Sequence, residues 1–170
     1  MKRVVTYAIL IILSFLLQST ISTYFALGDI TPNIMIILTT SIALIRGNTE
    51  GMVVGFFSGL MLDVLYSNYL GIYALIYLVL GFIFGFFNKI YYQEDITLPI
   101  ILIALSDFMY GICIYVFFFL INGRFEFFYY FQKIILPETV YTVIIAIFSY
   151  RIVLRVCGKL DKKGSEDLIV

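Results

Sequence analysis

The feature that most restricts this chain is a succession of long apolar runs joined by connections too short to fold on their own. A bilayer core about 30 Å thick takes roughly 20 apolar residues per crossing helix. Six runs approach or exceed that length, at residues 4–27, 32–45, 51–65, 70–87, 98–121 and 133–157. The connections are 28–31, 46–50, 66–69, 88–97 and 122–132. Composition agrees, with 62% of residues hydrophobic and 13% charged, whereas a soluble domain carries about a quarter charged residues and needs a polar exterior. The chain therefore reads as an all-α, polytopic membrane protein of six transmembrane helices, with a single helical domain over 1–157 and a charged tail over 158–170 that is disordered at its end.

Three runs admit a second reading. The second and third are short for crossing helices, so the alternatives are a re-entrant pair or an extension through residues 46–50. The first begins with Lys2 and Arg3 and is followed by a small, polar stretch at 19–23, as a secretory leader would be. It lacks an A-x-A site and turns apolar again at 24–27, which favours a retained helix.

Orientation follows from the basic residues, because cytoplasmic flanks keep their positive charge during insertion. With the N-terminus inside, Lys2, Arg3, Arg46, Lys89, Arg151, Arg155, Lys159, Lys162 and Lys163 are cytoplasmic and only Arg124 and Lys133 lie outside. Both termini are thus expected in the cytoplasm, with an even number of crossings. The outer loop at 124–130 (RFEFFYY) mixes aromatics with single charges, which suits an interfacial belt or a docking surface.

Several functions are disfavoured. A formal net charge of zero offers no basic face for nucleic acid. There is no histidine, and Cys113 and Cys157 stand far apart in apolar stretches, so neither a metal nor a cofactor is expected. No serine–lysine pair lies in an apolar segment, and the glycine-rich third run lacks the GK[ST] ending of a phosphate loop, so enzymatic activity is not expected either.

What remains informative is small residues at regular spacing and acids at depth. Gly47, Gly51, Gly55 and Gly59 recur every fourth residue, and Asp63 takes the next place in the series. Each step of four advances about 400°, so these positions trace one slowly winding groove. Such a groove packs helices within one bundle or between subunits. Asp63, near the end of its run, is either solvated or caps the next turn. Asp107 lies ten residues into the fifth run, where an exposed charge costs about 2.5–3.5 kcal/mol or more, so it must face the interior, pair, or stay protonated. Glu138, after Pro137, has the same problem at shallower depth. Ser106, Thr139 and Tyr141 are the candidate donors to these acids, and several acids together would make a proton or cation path.

The stretches TPNIMIIL, GNTEGMVVGFFSGLMLD and LGIYALIYLVLGFIFGF resemble the rod shape-determining MreD family. In that family a proline starts the second helix, a GF-x-x-G-L-x-x-D run ends the third and an LG-x-x-A-L-x-Y run opens the fourth. The match falls on Pro32, Gly51, Gly55, Phe56, Gly59, Leu60, Asp63, Leu70, Gly71, Ala74, Leu75 and Tyr77. In the last helix Glu138 and Tyr141 are counterparts of a family glutamate and tyrosine, but Thr142 stands where the family has asparagine. The resemblance implies a noncatalytic scaffold in the bacterial cell membrane, working with MreC and MreB filaments to organise RodA and its transpeptidase partner in lateral peptidoglycan synthesis. The glycine spacing and the resemblance together mark Gly47, Gly51, Gly55, Gly59, Asp63 and Gly71 as helix-packing or partner-binding positions. The family is also similar in fold to the substrate-binding components of energy-coupling-factor transporters, which makes a small-molecule-binding transport component the alternative.

Overall fold

In lipid every backbone amide must be satisfied within its own segment, so apolar runs of this length fold as helices. The structure, a computed structural model, describes residues 2–24, 30–66, 71–90, 96–120 and 126–166, and these are almost entirely helical. The helices are α1 (Lys2–Tyr24), α2 (Ile34–Arg46), α3 (Asn48–Tyr66), α4 (Ile72–Gly85), α5 (Thr97–Ile114), α6 (Phe127–Tyr130) and α7 (Leu136–Glu166). A 3-10 segment, Phe86–Ile90, extends α4, while π-helical turns extend α5 over Tyr115–Leu120 and join α6 to α7 over Phe131–Ile135. Leu70 and Arg124 lie outside the described residues.

Among the described residues, five helical spans are long and apolar enough to cross a membrane. The second of the six expected segments is not: α2 has 13 residues, about 20 Å of helix against a core of about 30 Å. Its length is explained by its surroundings. Every residue from 34 to 44 is buried, with α1, α3, α4, α5 and α7 packed around it. A helix that is apolar all round and enclosed by protein has no lipid-facing length to match.

The connection expected at 46–50 is instead a one-residue corner. Gly47 adopts φ +95°, a conformation that favours glycine, and its N–H donates to the Ala43 carbonyl at 2.8 Å. The Asn88 side chain donates to the Leu44 carbonyl at 2.6 Å and Arg46 to the Cys157 carbonyl at 2.9 Å. These bonds fasten the corner to the ends of the α4 extension and α7. Two further boundaries differ from the sequence reading. Part of the expected outer loop, from Phe127 onward, is helical, and α7 runs through Gly158 to Glu166 where a tail was expected. Gly158 and Gly164 each cost the helix about 1 kcal/mol relative to alanine, and the leucine and lysines between them are good helix formers.

The most extensive contact in the bundle is between antiparallel α3 and α4. Gly51 meets Gly81, Gly55 meets the Tyr77 backbone, Gly59 meets Tyr73 and Ala74, and Gly85 meets Asn48. On its other flank α3 approaches α2, with Ala43 beside Gly51 and Thr39 beside Gly55. A Cβ added at Gly55 would lie 2.8 Å from the Tyr77 carbonyl carbon, inside any real contact. Phe56, on the neighbouring face, is 38% exposed.

Gly55→Leu should therefore sharply reduce the amount of folded protein in membranes, because the clash is with backbone and falls at or above the upper end of the about 1–3 kcal/mol typical of overpacking. Phe56→Leu should leave abundance near wild type. Equal abundance of the two variants would remove the glycine contact from the account of stability.

Candidate functional site

A polar cluster lies at the end of the bundle opposite the Gly47 corner, where the N-termini of α2, α4 and α7 meet the C-terminal ends of α1 and α3. Helix N-termini carry donors with no partner inside the helix, and in an apolar medium leaving them bare is costly. The buried start of α2 is completed by side chains from elsewhere. The Asn33 N–H donates to Thr142 Oγ1 at 3.0 Å, the Met35 N–H to Gln18 Oε1 at 3.1 Å and the Ile36 N–H to Asn33 Oδ1 at 3.2 Å. Tyr77 Oη donates to the same Asn33 oxygen at 2.7 Å. Deeper in the bundle, Thr40 Oγ1 donates to Ser106 Oγ at 2.9 Å.

Asp63 is fully buried and does for α4 what those groups do for α2. Its carboxylate accepts from the Tyr73 N–H at 3.0 Å and the Ala74 N–H at 2.8 Å. The residue before α4, Gly71, supplies no capping side chain and sits at φ +108°, so the anion at this positive helix end comes from the neighbouring helix. Of the two uses open to Asp63, solvation and capping, the structure shows capping.

The six glycine-series and motif positions thus divide. Gly51, Gly55 and Gly59 make close helix contacts and Asp63 caps α4. Gly47 and Gly71 do not pack: nothing lies within 4 Å of an added Cβ at Gly71, and at Gly47 the nearest atom is Asn88 Oδ1 at 4.0 Å. Both are turn glycines chosen for positive φ.

Asp107 on α5 is only 2% exposed. It lies alongside Thr139 and Thr142, whose hydroxyls are its polar neighbours, and neither carboxylate oxygen receives a hydrogen bond of good geometry. Thr139 Oγ1 donates to the Ile135 carbonyl at 2.9 Å instead. Glu138 on α7 is near enough for its charge to interact with that of Asp107, and no cation among the described residues pairs with either acid. Glu138 also lines a polar cavity of about 180 Å³, together with Gln18, Asn33, Tyr66, Tyr73 and Tyr110. Among the described residues no three acids or cysteines converge as a metal cluster, and Cys113 and Cys157 are not joined in a disulfide.

These features define an all-helical, multi-pass membrane protein built on a glycine-packed helical hairpin, with a polar cluster at one end of the bundle. A family model described as rod shape-determining protein MreD matches residues 1–159, and the chain belongs to that family. No curated protein and no solved structure matches the chain.

Sequence reasoning missed the other half of the glycine contact, Gly81 and Gly85, although their spacing of four was visible in LGFIFGF. It also passed over Gln18, which carries no local signal, and took Thr142 as a departure from the family pattern when it is the acceptor for the Asn33 N–H.

Removing the Asp63 carboxylate should cost about 1–3 kcal/mol for each buried donor left bare. The thermal midpoint of purified protein should fall in the order wild type, Asp63→Asn, Asp63→Ala, since asparagine keeps one acceptor. An Asp63→Ala midpoint equal to wild type would contradict the capping role.

Proposed function

We propose that this protein is a noncatalytic scaffold subunit of the bacterial elongation complex, placed in the cell membrane with both termini in the cytoplasm. It would organise lateral peptidoglycan synthesis together with an MreC-like protein, MreB filaments, RodA and the transpeptidase partner of RodA. The observation that carries this reading is the family match, which spans the whole helical bundle. The glycine stripe and Asp63 are committed to helix packing and capping within the bundle, which leaves the lipid-facing surface to meet partner helices. Six passages, with α2 and the residues preceding it as the second, fit the nine-to-two distribution of basic residues.

One part of that surface suits a partner helix. α1 is the least buried of the membrane spans, and between α1 and α3 runs an apolar groove of about 570 Å³, lined in part by Ile11, Phe15, Val53, Phe57 and Met61. A single membrane helix of an MreC-like protein has a place to lie there, with fit rather than hydrophobicity supplying the association.

The polar cavity favours a second reading, a small-molecule-binding component of a transporter, as the similarity to energy-coupling-factor substrate-binding components implies. Such a pocket needs several polar groups converging at one depth, and here Gln18, Asn33 and Glu138 do so.

Depletion in a rod-shaped host should make cells widen and round while purified protein neither polymerises nor cleaves lipid-linked wall precursors. Loss of solute uptake with unchanged shape would favour the transport reading. A photo-crosslinking residue at Phe57 should capture the MreC-like protein, whereas one at Phe148, an exposed residue of α7 outside the groove, should not; the reverse would move the interface. A reporter active only outside the membrane, fused to Val170, should be silent, and a strong signal would mean an odd number of crossings.

A further inference from the structure

Asp107 and Glu138 are two acids on adjacent helices, within range of each other's charge, in a bundle that offers neither a cation among the described residues. Asp107 is almost wholly buried beside the Thr139 and Thr142 hydroxyls, with no hydrogen bond of good geometry to either oxygen. Removing one partner from a buried charge pair is among the costliest changes a protein can suffer, because the remaining charge has neither water nor counter-ion. Two acids so placed are stable when they hold a proton or when a cation stands beside them.

The space for such a cation is the 180 Å³ cavity against Glu138, and its walls indicate the kind. Hard metal ions take six or more oxygen ligands, whereas Glu138 is the one acid in this wall. The amide oxygens there are already engaged, Gln18 by the Met35 N–H and Asn33 by the Ile36 N–H and Tyr77 Oη. Three tyrosines, Tyr66, Tyr73 and Tyr110, share the wall with Thr31, Pro32 and Leu62. A carboxylate beside aromatic rings suits an organic ammonium, which the acid attracts by charge and the ring faces by their quadrupoles.

We propose that this cavity binds an ammonium group, held by Glu138 with Asp107 reinforcing the field behind it and Tyr66, Tyr73 and Tyr110 enclosing it. The volume suits a group the size of ethanolamine, and the same chemistry is offered by a free small amine or by the headgroup of an aminophospholipid. The site is independent of the scaffold reading, since it rests on the interior of the bundle rather than on its outer surface.

The test uses the full chain in nanodiscs of phosphatidylglycerol alone. Added ethanolamine should raise the thermal midpoint saturably, and ethylene glycol, its neutral analogue, should not. Nanodiscs containing phosphatidylethanolamine form the second arm. A raised midpoint there without response to free ethanolamine in the first discs assigns the group to lipid, and the opposite pattern assigns it to a free amine. Glu138→Gln should weaken the response at least about tenfold, as loss of one member of a buried charge pair does, and Asp107→Asn should weaken it less. Should Glu138→Gln fail to fold, isotope-labelled ethanolamine on the wild-type protein should show magnetisation transfer to tyrosine ring protons. The proposal is overturned if neither amine source shifts the wild-type midpoint, if ethylene glycol acts as ethanolamine does, if Glu138→Gln responds like wild type, or if bound ethanolamine makes no contact with tyrosine.

Discussion

The bundle depends on enclosing a helix too short to live in lipid. With 13 residues and burial along residues 34–44, α2 would leave its end groups at membrane depth if lipid surrounded it. In the fold each end is finished by other segments. Gln18 of α1 and Thr142 of α7 join Asn33 in accepting the first amides. At the far end the Gly47 corner and Asn88 take up the carbonyls of Ala43 and Leu44. The positions of α1, α4, α5 and α7 around α2 follow from who must supply those groups and who covers the apolar sides.

Enclosure at this density requires helices that approach to backbone distance, and lipid supplies no hydrophobic drive to force them together. Small residues answer that requirement from both sides. α3 offers Gly51, Gly55 and Gly59, and α4 offers Ala74, Gly81 and Gly85. The cost of such closeness falls at the start of α4, where a glycine turn leaves the first amides uncapped, and Asp63 meets it from the end of the glycine series. Packing and capping are thus two consequences of one helical stripe.

The sequence was legible where the signal is periodic and local. Apolar run lengths placed the helices, and the spacing of four exposed one face of α3. The central position of α2 was hidden because an all-round apolar helix reads alike whether protein or lipid surrounds it, and only its shortness hinted at the difference. Gly81 and Gly85 were masked by the phenylalanines between them. The polar site was hardest to see, since Gln18, Asn33, Tyr77 and Thr142 are scattered over 125 positions, from 18 to 142, and become neighbours only in three dimensions. Asp107 and Glu138 stood out one at a time, by depth, but nothing in their spacing announced that they would share a surrounding.

The corner at Gly47 and the borrowed caps also bear on how the chain is made. A translating ribosome delivers α2 early, while Thr142, which closes its first amide, and Cys157, whose carbonyl holds Arg46, come more than 100 residues later. Until then α2 has unsatisfied groups at membrane depth and no enclosing wall on the α5 and α7 sides. Final assembly therefore cannot proceed helix by helix in the order of synthesis; it must wait for the last segment to arrive. A nascent chain that stalls before α7 exposes an incomplete polar end. Biogenesis of this protein is in that sense decided at its C-terminal helix, although the helix most in need of shelter is the second.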